Sequence, residues 1–297
     1  MLVAGIVTYN RLGCLKRCVA QVRAQSTRVD RILVVDNGSE DGTAEWLSDQ
    51  CDVEVLRQGN EGSAGGQYRL FKHAYAAGAD FLWTMDDDGV PGRGCLEALL
   101  EAKFPGVISP VPRDLAAPEC LAFNLRLKGE RIETWERFQQ VGGGERVIPG
   151  KLFPFNGVLV KREQMERVGY PNRKMFIWGD DLEWYLRCQR AGVAGGASTQ
   201  AEYLHPRERV QILKGQVAGR ELSLLWAKDA ERRKIVLRNQ AWNWRMELDS
   251  PFGAMRRCLA CSILASKHHS IRVGAETLWS LTEGYFGKLG KGQIPDV

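Results

Sequence analysis

Phe81-Leu82-Trp83-Thr84-Met85-Asp86-Asp87-Asp88-Gly89 is an apolar run that stops at three consecutive carboxylates. Adjacent acids repel one another, so the cluster is costly unless a cation sits among them. The apolar residues before it predict a buried strand, and open α/β sheets hold ligands at strand ends. Hard oxygen ligands at such a place suit Mg²⁺ or Mn²⁺ shared with a phosphate. A solvated acidic turn ending in glycine is the plain alternative.

Upstream, short β-rich runs alternate with helical patterns from Met1 to about Val111, which predicts βαβ units and a parallel sheet. Val3–Val7, Ile32–Val35 and Val53–Leu56 read as the first three strands. Leu15, Cys18, Val19 and Val22 share one helical face between the first two. Asp36 ends the second strand, where an acid can accept hydrogen bonds from a base or a ribose; Asp-Asn-Gly is also an ordinary turn. After the third strand, the loop Asn60-Glu61-Gly62-Ser63-Ala64-Gly65-Gly66 can bring backbone N–H groups to a diphosphate or serve as a tight connection. A dinucleotide fingerprint is absent: the first strand is followed by Thr8-Tyr9-Asn10-Arg11.

Downstream, Val107–Ser109 and Gly157–Val160 read as strands, and Gly142-Gly143-Gly144 as a loop. A second acidic cluster lies in Trp178-Gly179-Asp180-Asp181-Leu182-Glu183-Trp184. From about Gly219 the pattern predicts helices, one beginning at Ser250-Pro251. The composition is that of a soluble globular protein, with 44% hydrophobic and 26% charged residues. No run approaches the roughly 18 apolar residues of a membrane span, and the N-terminus reads as a core strand rather than a leader. Of the eight cysteines only Cys258-x-x-Cys261 has ligand-like spacing, without a second pair, so reduced thiols of a cytoplasmic protein are expected. Arg256, Arg257, Lys267, Arg272, Lys288 and Lys291 lie among apolar residues, which suits a solvated helix face or peripheral contact at the inner face of an anionic membrane. No nucleic-acid recognition module is present.

Taken together, Thr8-Tyr9-Asn10-Arg11, Val35-Asp36-Asn37-Gly38-Ser39, Asn60-x-Gly62-x-x-Gly65-Gly66, Asp86-Asp87-Asp88 and Trp178-Gly179-Asp180-Asp181-x-Glu183-Trp184 stand in the order and spacing of the inverting family 2 glycosyltransferases. The chain resembles that family over roughly residues 1–210, most closely its bacterial galactofuranosyl- and rhamnosyltransferases. The resemblance implies a GT-A fold, a mainly parallel α/β sheet flanked by helices, over residues 1–215, with a helical C-terminal region over 216–297. It also implies a nucleotide-diphosphate sugar donor, UDP or dTDP, a Mn²⁺ or Mg²⁺ ion, and a saccharide or lipid-linked saccharide acceptor.

By the same resemblance, Thr8, Asn10 and Asp36 hold the nucleoside, and Asn60, Gly62, Gly65 and Gly66 lie over the ribose and diphosphate. Asp86 and Asp88 are the outer members of the family's Asp-x-Asp motif and, with His205, the metal residues, Asp88 as the direct ligand and Asp86 nearer the ribose. Asp87 sits between them, counted with Asp86 among the residues that bind the donor and the member least expected to touch the ion. Asp181 matches the general base, with Asp180 a competitor and Glu183 tuning the pair or stabilising a helix start. Trp178 and Trp184 fit sugar stacking and core packing equally. A sugar-nucleotide pyrophosphorylase and a non-catalytic saccharide-binding protein are the rival readings. The first wants a glycine-rich loop after the first strand, and the intact acidic clusters argue against the second.

Overall fold

The computed structural model describes residues 1–207, 211–248 and 250–290. The chain divides into two compact units, Met1–Pro171 with Arg187–Glu208, and Asn172–Leu186 with Arg209–Val297.

The first unit opens with the expected alternation: β1 (Leu2–Thr8), α1 (Leu12–Arg23), β2 (Arg31–Asp36), α2 (Thr43–Ser48), β3 (Val53–Arg57), α3 (Gly62–Ala76) and β4 (Phe81–Asp86). The strands β4-β1-β2-β3 lie side by side and parallel. Helices cover both faces of such a sheet, which is why these strands are near-continuous apolar runs. Register then sets the site: Val7 pairs with Asp86, Thr8 with Asp36, and Asp36 with Arg57, so all of these side chains stand at one edge, the carboxyl ends of the strands.

After β5 (Val90–Pro91) and α4 (Cys95–Glu101) come β6 (Val107–Pro110), β7 (Arg113–Asp114), β8 (Cys120–Leu127), β9 (Glu130–Thr134) and α5 (Trp135–Gly142). Then follow β10 (Val147–Pro149), β11 (Asn156–Lys161), α6 (Arg162–Val168), α7 (Asp180–Arg190), whose residues through Leu186 belong to the second unit, β12 (Gly195–Ser198) and β13 (Tyr203–His205). β11 runs antiparallel to β4 and extends the main sheet to eight strands, in the order β10-β12-β6-β11-β4-β1-β2-β3. A smaller sheet has the order β5-β13-β7-β8-β9.

The second unit holds the hairpin β14 (Gln211–Val217) and β15 (Arg220–Trp226), then α8 (Ala230–Glu247), α9 (Pro251–His268) and α10 (Ile271–Tyr285). The helical expectation from Gly219 is therefore corrected. Leu222, Leu224 and Trp226 alternate with period two, Leu224 and Trp226 are buried, and Leu224 pairs across to Leu213. Helix begins only after Asp229, whose carboxylate accepts the Arg232 N–H at 2.8 Å. Ser250 caps α9 as expected, accepting the Gly253 N–H, with Pro251 in the first turn. Among the described residues no helix is long and apolar enough to cross a membrane.

The glycine segment expected as a loop is instead the first turn of α3. A Cβ on Gly66 would stand 2.4 Å from Val7 Cγ1 and 3.0 Å from Asn37 Nδ2, so glycine here lets the helix lie against β1. Gly13, on the exposed side of α1, has nothing within 4 Å of its Cβ position. Gly66→Ala should therefore lower unfolding free energy by about 1–3 kcal/mol through overpacking. Gly13→Ala should raise it by about 0.5–1 kcal/mol through helix propensity. Urea unfolding of the two variants checks both signs.

Candidate active site

At the tip of β4 the three aspartates take three different partners. Asp86 Oδ1 accepts from Gln67 Nε2 at 3.1 Å, and Gln67 Oε1 in turn accepts the Thr84 hydroxyl at 2.7 Å. Asp87 is buried and accepts the Thr8 hydroxyl at 2.7 Å, while its backbone N–H donates to Val7 O. Asp88 Oδ2 accepts from the Arg11 guanidinium at 2.6 Å, and the same nitrogen lies 3.3 Å from Asp87 Oδ1. Arg11, part of the Thr-Tyr-Asn-Arg stretch, is a site residue that sequence reasoning left without a role. The available signal was a cation directly after the strand that neighbours β4.

His205 reaches Asp88 through strand pairing. The chain turns at Gly89 into β5, Leu204 of β13 pairs with Val90, and His205 Nε2 comes to 3.1 Å from Asp88 Oδ1. Gly89 is required by this crossing, since a Cβ there would collide with the Tyr203 hydroxyl. The Phe123 ring, 5.0 Å away centroid to centroid, packs against the imidazole. His205 Nδ1 lies 2.7 Å from the Pro206 carbonyl, which only accepts, so Nδ1 carries the proton. In the neutral ring Nε2 then presents a lone pair toward Asp88 Oδ1, a buried oxygen without a hydrogen-bond partner.

A carboxylate oxygen and an imidazole lone pair facing each other are a donor set for a hard or borderline divalent ion. Octahedral bonds of about 2.0–2.1 Å place adjacent ligands about 2.9 Å apart, close to the spacing seen here. The residues present thus fit Mg²⁺ or Mn²⁺ with two protein ligands; no group of three or more His, Cys, Asp or Glu able to hold a metal occurs among the described residues. Of the three aspartates, Asp88 is the one that faces His205.

The electrostatics follow from burial and partners. Burial raises the Asp88 carboxyl, but His205 in its protonated form and Arg11 outweigh it and hold the group below the ordinary range. For Asp87 burial wins over the Thr8 hydroxyl and the Arg11 charge and lifts the carboxyl to about 6. Burial also opposes the charge on Arg11, yet Asp87, Asp88 and Asp86 together raise its pKa.

Beside these, Asp36 is fully buried at the end of β2. Its Oδ1 accepts the Ser39 N–H at 2.9 Å, while Oδ2 lies 3.3 Å from Arg57 Nε and makes no hydrogen bond. Asn10 joins the neighbouring loop by accepting the Glu40 N–H at 2.7 Å and donating its own N–H to Ser39 Oγ at 2.9 Å. Asn60 Oδ1 accepts the Gly62 N–H at 3.0 Å, and Asn37 Nδ2 donates to Gly62 O at 3.0 Å. Gly65 and Gly66 sit within α3.

In the second unit, Asp180, Asp181 and Glu183 occupy the first turn of α7, where the helix dipole favours negative charge. Asp180 and Glu183 are buried and Asp181 is exposed. Desolvation raises the Asp181 carboxyl against the N–H groups of Leu182 and Gly179, an effect that water reaching an exposed side chain screens in large part. The segment leading into the helix is strained, with positive φ at Phe176 (64°), Trp178 (62°) and Gly179 (95°). Two asparagines of α8, absent from the sequence reading, hold it. Buried Asn239 donates to the carbonyls of Met175, Ile177 and Trp178 at 2.7, 3.0 and 2.9 Å, and Asn243 donates to Gly179 O at 2.9 Å. Trp184 is a core residue, and half-buried Trp178 lies under the Arg232 guanidinium.

Residues 4–104 match the family model described as glycosyl transferase family 2. The chain is 30% identical over 247 residues to galactofuranosyltransferase GlfT1 of Mycolicibacterium smegmatis, covering 80% of this chain and 81% of that one. It is 28% identical to the dTDP-rhamnosyl transferase RfbF of Shigella flexneri, over 64% of each chain. The mannosyltransferase PcManGT of Pyrobaculum calidifontis, solved with GDP-Man and Mn²⁺, shares the fold with a TM-score of 0.56 at 15% identity, over 97% of this chain and 87% of that one. The chain belongs to glycosyltransferase family 2 and is a transferase of the GT-A-like fold.

Two predictions arise here. The folded Asp87 carboxyl, lifted to about 6, binds its proton more tightly than the unfolded chain does, so stability due to Asp87 falls as pH rises from about 4 to about 6. In EDTA, the unfolding free energy of wild type minus that of Asp87→Asn should decline by about 2–3 kcal/mol across that window; a flat difference would refute the burial argument. Asn239→Ala should cost about 2–3 kcal/mol by leaving buried carbonyls unpaired. It should also increase amide hydrogen exchange in residues 175–183 more than in β1–β4.

Proposed function

We propose that this protein is a metal-dependent inverting glycosyltransferase moving a hexose, galactofuranose or rhamnose, from a UDP or dTDP donor. The acceptor is a saccharide or lipid-linked saccharide of bacterial cell-surface polysaccharide, met in the cytoplasm at the inner face of the membrane. The observation that carries this reading is the Asp88 Oδ1–His205 Nε2 pair, 3.1 Å apart at a strand end, with the oxygen lacking a hydrogen bond. The similarity to galactofuranosyl- and rhamnosyltransferases supports the choice of sugars.

Asp88 and His205 hold Mn²⁺ or Mg²⁺, and that ion, when bound, neutralises the charge of the departing diphosphate. Arg11, half-exposed beside Asp88, supplies a further donor for phosphate oxygens. The orphan Asp36 Oδ2 accepts the ring N–H that uracil and thymine share. Asp86 with Gln67, Thr8 and Asn10 orient the nucleoside, and the Asn60–Gly66 segment presents the start of α3 to the diphosphate. Asp181, exposed in the first turn of α7, takes the proton of the acceptor hydroxyl as that oxygen attacks the anomeric carbon, inverting it. Buried Asp180 and Glu183 shape the start of α7 around it.

Thermal unfolding with a panel of nucleotide sugars and Mn²⁺ tests the reading, because a ligand that binds only the folded state raises the midpoint. UDP or dTDP sugars should stabilise the protein with Mn²⁺, and Asp88→Ala or His205→Ala should abolish the metal-dependent part. Asp181→Asn should keep donor stabilisation and lose transfer by at least about a hundredfold. Full transfer by that variant would move the base to Asp180. Pyrophosphate as product would favour a pyrophosphorylase, and acceptor binding without donor binding a non-catalytic saccharide-binding protein.

A further inference from the structure

Helix α9 has two faces of different chemistry. One, with Ala254, Cys258, Cys261, Leu264 and Ala265, is buried in the core of the second unit. On the other, Phe252, Met255, Leu259 and Ile263 are 85%, 51%, 52% and 40% exposed, and their spacing places them on one stripe. The adjoining α10 exposes Ile271 and Trp279, and Phe286 follows it, at 86%, 68% and 71%. The two helices run antiparallel, with Ser262 Oγ donating to Gly274 O at 2.8 Å, so Phe252 and Phe286 lie at the same level of the hairpin. Water-facing helices of soluble proteins do not ordinarily carry so many large apolar side chains.

Charge selects the occupant. α9 contains Arg256, Arg257 and Lys267 and no acidic residue. Arg256 and Lys267 are exposed and follow the apolar stripe on the helical wheel, and Lys267 donates to a backbone carbonyl, Gln216 O. Arg257 turns aside to Glu247 and the Trp244 ring. Lys291 lies outside the described residues. An apolar stripe edged by exposed cations complements an anionic bilayer surface. In a symmetric dimer the same stripe would face its own copy, and like charges would be set against each other.

We propose that the α9–α10 hairpin docks on an anionic lipid surface. Phe252, Met255, Leu259 and Ile263 enter the boundary between headgroups and acyl chains, while Arg256 and Lys267 meet lipid phosphates. This gives a place to the membrane contact of the reading above and rests on it for its purpose, although lipid binding is tested without any sugar.

The test is co-sedimentation of the full chain with vesicles of phosphatidylcholine alone or mixed with phosphatidylglycerol. Wild type should partition onto the anionic vesicles at least tenfold more strongly. Phe252→Ser with Leu259→Ser should reduce that partition at least tenfold, and Arg256→Gln with Lys267→Gln should reduce it and flatten its salt dependence. All four side chains are exposed, so stabilisation by nucleotide sugar should be unchanged in both variants. Equal pelleting of wild type and the Phe252/Leu259 variant, or no pelleting of wild type, would overturn the proposal. So would a solution dimer that the same variant converts to monomer. Donor stabilisation without vesicle binding sinks the docking alone, whereas vesicle binding without donor stabilisation sinks the transferase reading and leaves the docking standing.

Discussion

Three carboxylates at the end of one strand can stand together only if positive charge reaches them, and the first unit is arranged to bring it. Arg11 arrives from the loop after β1 and bonds Asp88 and Asp87; His205, which carries charge only when doubly protonated, arrives on β13 and faces Asp88. The rest of the crowding is relieved by giving each acid a distinct environment. Asp86 bonds Gln67, Asp87 is buried against Thr8 and rises to about 6, and Asp88 is held low. Neighbours in sequence thereby become chemically unlike, because a strand end and its following turn point successive side chains in different directions.

The second acidic cluster is positioned by a different means. Its carboxylates begin a helix, where the dipole lowers the cost of their charge, and the backbone before it is held in left-handed conformations that non-glycine residues avoid. Asn239 and Asn243 keep that backbone in place by supplying donors to carbonyls that regular structure leaves unpaired.

The strand alternation through Asp86 was legible in the sequence because β-branched apolar runs and helical spacing are local signals. The tip of β4 as a candidate site was legible in the same local way: three acids after a buried run have no cheap structural use. The second unit was read less well. Residues 220–226 looked helical because helices follow them, and their period of two was short. The glycines after β3 looked like a loop because glycine is common in turns, whereas here Gly66 serves the close approach of α3 to β1.

The sequence by itself determined the family resemblance, the succession of strands and helices through Asp86 and the identity of the acids, since each depends on residues close together in the chain. Only the tertiary structure decided which acid meets which partner. His205 finds Asp88 because β13 pairs with β5, Arg11 finds it because β1 lies beside β4, and Asn239 reaches Met175 from a helix far along the chain. These pairings are set by strand register and helix packing, which join residues distant in sequence and leave no local pattern to read.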